Sequence, residues 1–386
     1  MVDLKDWLNQ QREKGGLRTL RPVIHRGKGR LLLAGNDDRE LLDFSSNDYL
    51  ALAEHPTLIT AAQEALNRFG TGSGASRLMS GDLALHHALE EAVAQLKGKE
   101  AALTFGSGYM ANAGIIPALV DRHDLIFSDR LNHASIHDGC RLSGARLVRF
   151  RHNDLNHLEE LLTEKRGTGT ALIVVESIYS MDGDRCPLRE LVGLKERFGC
   201  LLMVDEAHAT GVFGANGGGV IEEDGVSDGV DLAMGTFGKA LGSYGAYVAG
   251  NREIIEYLIN RARSFIFSTA LPPAVAAASL AAVQLIRQEP ALRQDLHEKI
   301  TYFKGLLHTG GYGADLGPSQ IIPIQVGESS AALNKADLLR EQGIFATAVR
   351  PPTVPQGTAR LRFSITRHHS TADLTKAAKA LLKIVD

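Results

Sequence analysis

Short apolar runs recur along the middle of the chain, and longer amphipathic stretches separate most of them. Ala101–Phe105, Asp124–Ser128, Arg146–Phe150, Ala171–Glu176, Leu201–Asp205, Asp231–Gly235 and Tyr244–Ala249 read as strands. Leu155–Lys165 and Leu188–Phe198 read as helices between them. This alternation predicts an α/β fold with a large, mostly parallel seven-stranded sheet. Helices cover both faces, because each parallel crossover lays a helix on the sheet. Ahead of it, Leu4, Trp7, Leu8 and Gln11 share one helical stripe, so residues 3–14 form an amphipathic arm that Gly15-Gly16 ends. Arg30–Ala34 and Leu41–Phe44 bracket a turn at 35–38, and Thr57–Phe69 and Leu85–Leu96 are helical. After Arg263 the texture changes. Two long helices, Ala274–Gln288 and Leu292–Leu307, precede strand Ile321–Val326, helix Ala331–Gln342, strand Ala359–Ile365 and helix Ala372–Ile384, which Ser370 or Thr371 caps. The expected division is an N-terminal arm and β segment over 1–44, a large α/β domain over 45–270 and a small α+β domain over 271–386.

The 386 residues, 44% of them hydrophobic, exceed one typical domain of about 100–150 residues. A net charge of −3 supplies no basic field for nucleic acid or an anionic membrane. No run approaches the ~18 apolar residues of a membrane span, and the first residues show no charged-then-apolar leader. Cys140, Cys186 and Cys200 form no CxxC pair and read as free thiols of a reducing, cytoplasmic compartment. His86-His87 and His368-His369 lack metal-ligand spacing and read as surface or helix residues, so no metal is expected. The absence of GxSxG and HExxH patterns leaves little support for a serine hydrolase or a zincin.

Parallel sheets hold ligands at the carboxyl ends of their strands. Gly106-Ser107-Gly108-Tyr109 follows the first strand and opens a helix whose N–H groups suit a phosphate. Asn132-His133 follows the second strand, Ser180 the fourth, Asp205 and His208 the fifth, and Thr236 and Lys239 the sixth. A lysine among Gly238, Ala240 and Gly242 sits poorly on a solvated face, although a lone lysine is usually a surface residue. Lysine, carboxylate, hydroxyls and a phosphate turn together are the equipment for pyridoxal 5'-phosphate (PLP). Asp205 by itself also suits a helix cap, and His133 a capping or core role. In Ala359–Phe363 strand alternation puts Arg360 and Arg362 on one face, either as carboxylate forks or as exposed strand arginines.

Several segments then match a family in order. They are Asp43–Leu50, Gly72–Arg77, Asn132–Ser135, Ser180–Asp184, Val204–His208 and Thr236–Lys239. From about residue 16 to 384 the chain resembles the α-oxoamine synthases, fold-type I PLP enzymes that condense an amino acid with an acyl thioester and release CO2. The resemblance implies a homodimer with shared active sites. It implies Lys239 as the cofactor lysine and general base, Asp205 as partner of the pyridine nitrogen, and His133 as the ring stacked on the cofactor. His208 and Ser180 become cofactor contacts, and Thr236 with the backbone of Gly108-Tyr109 phosphate ligands. Thr269 matches a phosphate contact donated by the partner subunit. Arg362 resembles the clamp on the amino acid's carboxylate, with Asn47 beside it among the substrate residues. Arg18 and Thr353 resemble the lining of the acyl path. Leu17-Arg18, Pro22-Val23, the stretch Arg350–Arg362 and Ser76 in place of threonine favour L-alanine and a pimeloyl thioester over glycine-using members. The carrier is coenzyme A or an acyl-carrier protein. Gly217-Gly218-Gly219 departs from relatives that carry an arginine among these glycines.

Overall fold

The computed structural model describes residues 3–13, 15–35 and 39–385. These fall into two units. One comprises residues 52–180 and 184–294, the other residues up to 51, 181–183 and 295 onward.

The larger unit is built on one seven-stranded sheet: β1 (Ala101–Phe105), β2 (Leu125–Asp129), β3 (Arg146–Phe150), β4 (Ala171–Glu176), β5 (Leu201–Asp205), β6 (Leu232–Thr236) and β7 (Ala246–Gly250). The order across it is β1-β7-β6-β5-β4-β2-β3. Strands β2 to β6 pair in parallel, while β7 runs antiparallel to both β6 and β1. The physical reason is the connection. A parallel crossover needs about a dozen residues or more, and the link from Thr236 to Ala246 is shorter. The seven runs expected as strands are the seven strands, with ends shifted by at most two residues. Helices cover both faces. Leu103, Ile115, Ile126, Leu172, Met203, Leu232 and Val248 meet in one buried core. Local chemistry sets the helix ends. Ser107 Oγ caps helix Gly108–Leu119 by accepting from Met110 N, and Asp154 caps Leu155–Lys165 by accepting from His157 N. Gly70, at φ 79, stops Pro56–Phe69 in a conformation that a side chain resists.

Helix Pro273–Gln288 packs on Pro56–Phe69 and Ala84–Lys97 and so groups with the large unit. The sequence reading gave it to the C-terminal domain, whose observed boundary lies after 294. The other unit also takes in the N-terminal segment. Its strands Val23–Gly27, Arg30–Leu33, Leu41–Asp43 and Ile344–Phe345 form one sheet. The last of these pairs in parallel with Leu41–Asp43, so chain beginning and chain end share hydrogen bonds. The expected turn at 35–38 lies, apart from Gly35, outside the described residues. A second sheet holds Ile321–Gly327, Ala359–Ser364 and Thr347–Val349 in antiparallel order. Phe44, Phe303 and Phe363 pack there ring on ring. Ser370 caps the final helix, Thr371–Val385, in a reciprocal pair with Asp373.

His86 lies in helix Ala84–Lys97, as the helix reading allowed, and is fully buried there; His369 departs from both the surface and the helix reading. His369 is 1% exposed and stacks on Phe44 with ring centroids 4.1 Å apart. Its Nδ1 accepts from Thr366 N at 3.1 Å, so the proton sits on Nε2, which donates to Asp43 O at 3.1 Å. An imidazole that is neutral and satisfied at both nitrogens can occupy a core, which a polar–apolar pattern does not reveal. Cys140, Cys186 and Cys200 are all free and buried.

Candidate active site

The C-terminal ends of β4, β5 and β6 lie side by side, and each delivers a functional group. At the end of β5, Asp205 is buried. Its Oδ1 accepts from Ala207 N at 2.9 Å and its Oδ2 from Asn112 Nδ2 at 3.0 Å. No helix follows it directly, so it is not the helix cap that the sequence also allowed. Its acceptor capacity is not exhausted by two bonds. Asn112 also donates to Ser135 Oγ at 2.9 Å, and its own Oδ1 is buried without a hydrogen-bond partner among the described residues. A buried acceptor left open beside a carboxylate marks room for a polar ligand.

Glu176, at the end of β4, stands in register with Asp205. It is buried, and its Oε1 accepts from His133 N at 2.5 Å. Burial and the Asp205 charge push its carboxyl well above the ordinary range. The sequence reading missed both Glu176 and Asn112. The signal for Glu176 was its place at a strand end on the same edge. Nothing in the sequence distinguishes Asn112 from other helix residues. His133 caps helix Ala134–Ser143, with its Nδ1 accepting from Ser135 N at 3.2 Å. Withdrawal from water and the Lys239 charge outweigh the attraction of Asp205 and hold its ring below the usual histidine value.

Thr236 ends β6, and Lys239 Nζ donates to its Oγ1 at 3.5 Å from a half-buried position. Gly108 opens the helix facing Thr236. A Cβ placed on Gly108 would lie 2.8 Å from Thr236 Cγ2 and 3.2 Å from Met234 Cε, so only glycine fits this approach. Tyr109 Oη donates to Asp138 Oδ2 at 2.5 Å. Ser180 and His208 are buried. Ser76 and Thr269, far apart in sequence, pair in an antiparallel bridge, supported by Ala270 N donating to Ala75 O at 3.0 Å.

In the other unit Arg360 and Arg362 are both buried, which removes the exposed-strand reading. Arg360 pairs with Asp182. Arg362 donates to Asn47 Oδ1 at 3.2 Å, Ser364 Oγ at 2.8 Å and Tyr49 Oη at 3.3 Å. Arg18 Nη2 donates to Thr353 Oγ1 at 3.2 Å. Arg18, Thr353 and Arg362 line a cavity of about 910 Å³ within this unit, whose walls include Leu17, Leu333, Phe345 and Val349.

This donor set fits PLP: a lysine amine, a buried carboxylate with spare acceptor capacity, and a glycine-opened helix start over a threonine. Lys97, which the sequence reading passed over, supports the edge from behind. Its buried Nζ donates to Glu206 Oε2 at 2.7 Å, Thr210 Oγ1 at 2.9 Å and Gly218 O at 2.5 Å.

Residues 39–381 match the family described as aminotransferase class I and II. The 8-amino-7-oxononanoate synthase of Geobacter sulfurreducens is 53% identical over 379 residues, covering 98% of this chain and 96% of that protein. That of Geotalea daltonii is 51% identical over 380 residues, with 98% and 96% covered. Among solved structures, a serine palmitoyltransferase from S. paucimobilis with bound PLP and myriocin superposes with a TM-score of 0.94 at 29% identity, covering 100% of this chain and 98% of that one. The 8-amino-7-oxononanoate synthase of Francisella tularensis gives 0.77 at 32% identity, with 89% and 97% covered. The chain belongs to the aminotransferase class I and II family, in the branch of the 8-amino-7-oxononanoate synthases.

Proposed function

We infer that this chain is a PLP-dependent acyltransferase that condenses L-alanine with a pimeloyl thioester, giving 8-amino-7-oxononanoate, CO2 and the free thiol, a step of biotin formation. The observation that carries the chemistry is the convergence of Asp205, Thr236 and Lys239 on adjacent strand ends, with Gly108 fitted against Thr236.

Bound PLP supplies an electron sink for the bonds broken at the alanine Cα. The chain's own residues hold and position the reactants. In this reading Lys239 holds the cofactor and moves the proton at Cα. Asp205 accepts from the ring nitrogen and keeps it protonated, which maintains the sink. Thr236 and the N–H groups of Gly108 and Tyr109 hold the phosphate, and His133, Ser180 and His208 orient the ring. Arg362, fixed by Asn47, takes the alanine carboxylate through a planar fork. The apolar walls around Arg18 and Thr353 suit the methylenes of the acyl chain.

A homodimer accompanies this reading. Thr269 is exposed, and the segments it joins leave Phe267 and Met79 largely exposed, at 70% and 77%. A second copy covering them would bring Thr269 to the neighbouring phosphate. Free buried cysteines suit a cytoplasmic setting. Coenzyme A and an acyl-carrier protein are the two carriers to compare.

The test mixes enzyme with pimeloyl thioester and each amino acid and follows thiol release. Alanine is expected to be preferred over glycine by only about 10–200-fold, since one methyl group discriminates weakly. Faster turnover of glycine with an acetyl or succinyl thioester would reject the substrate assignment and leave the PLP chemistry standing.

A further inference from the structure

One imidazole ties together two loops of the sheet edge. His152 follows β3. Its Nδ1 lies 3.0 Å from Asp129 Oδ1 and its Nε2 2.7 Å from Asp184 Oδ2. A carboxylate at each ring nitrogen calls for a donor at both, which is the imidazolium. Burial opposes this charge, but the two carboxylates outweigh it and raise the ring to about 10. Asn153, at φ 51, completes the junction. Its N donates to Asp129 Oδ2 at 2.8 Å and its Nδ2 to Asp184 Oδ2 at 2.7 Å. The Tyr179 ring meets His152 edge-on, with centroids 4.4 Å apart.

Each aspartate governs one loop. Asp129 ends β2, and its Oδ1 also accepts from Leu131 N at 2.8 Å. Asn132 N donates to Asp129 O at 3.2 Å, and His133 comes next. Asp184 O accepts from Tyr179 N at 3.1 Å, and Ile178 pairs with Arg185 beyond it. This closes the turn in which Ser180 follows Tyr179. A partly buried charged cluster is an inefficient way to stabilise a fold, and its geometry specifies position instead.

We propose that His152 is a positioning residue for the reaction: held between Asp129 and Asp184, it fixes the two loops that present His133 and Ser180 to the cofactor. The proposal rests on the reading of those two residues as cofactor contacts.

The experiment compares holoenzyme of wild type, His152→Gln and Asp184→Asn. It measures the rate of PLP release into a trap, the visible circular dichroism of the bound cofactor, and the melting temperature of each protein stripped of PLP. His152→Gln keeps one donor and loses the charge; Asp184→Asn keeps an acceptor and serves if the first variant folds poorly. PLP release faster by about tenfold, the scale of one lost charge-assisted hydrogen bond, together with altered dichroism, is expected in both. Release and dichroism unchanged within about twofold while the stripped protein melts earlier would overturn the proposal, because the cluster would then serve the fold alone. A wild type that holds no PLP would instead overturn the functional reading beneath it.

Discussion

Glu176 and Asp205 stand opposite each other, in register, at the ends of neighbouring parallel strands, and both are buried. Two such carboxylates cannot both ionise cheaply, and burial with the Asp205 charge raises the Glu176 carboxyl well above its ordinary range. A carboxyl raised in the folded state keeps its proton where the unfolded chain has lost it. Its contribution to stability is therefore full below the unfolded value near 4.5 and declines as pH rises toward the folded value. Glu176→Gln, a neutral isostere, should remove this decline. Denaturant melts at mildly acidic and mildly alkaline pH measure it. An unaltered slope would show that Glu176 is ionised in the fold.

His369 gives the opposite sign. Burial pushes its imidazole down to about 4. Below an unfolded value near 6.5 the unfolded chain takes a proton that the folded chain refuses, so stability falls as pH drops from there toward 4. The loss approaches about 3 kcal/mol once pH is below both values. His369→Gln should flatten this limb, read by urea melts across the acid range.

Lys97 lies with Glu206 in a buried pair 2.7 Å long. Lys97→Met strands a carboxylate and should cost about 3–5 kcal/mol of stability. Calorimetry of the holoenzyme is the check; a loss below about 1 kcal/mol would mean the pair is solvated.

Gly108→Ala places a methyl group 2.8 Å from Thr236 Cγ2. Overpacking of this kind costs about 1–3 kcal/mol, so PLP affinity should fall by about tenfold with the fold intact. Titration of the stripped protein with PLP measures it, and unchanged affinity would remove Gly108 from the phosphate turn.

Lys239→Ala should retain no cofactor after borohydride treatment, whereas wild type should carry it on the peptide containing Lys239. Mass spectrometry of the digest decides, and a cofactor found on any other lysine would overturn the assignment.

The sequence determined the strands, since β propensity and burial on both faces write each one as a short apolar run between polar breaks. It determined the residues at strand ends too, because Asp205, Thr236 and Lys239 each stand where such a run stops. The order β1-β7-β6-β5-β4-β2-β3 came only from tertiary structure, as pairing between distant strands leaves no local pattern. So did the grouping of helix Pro273–Gln288 with the large unit, because an amphipathic helix names a buried face but not the surface that buries it. Asn112 and His152 were silent in the sequence for the same reason, and Glu176 showed only its place at a strand end. Their chemistry comes from Asp205, His133, Asp129 and Asp184 brought within hydrogen-bond reach, and only the folded chain makes those distances.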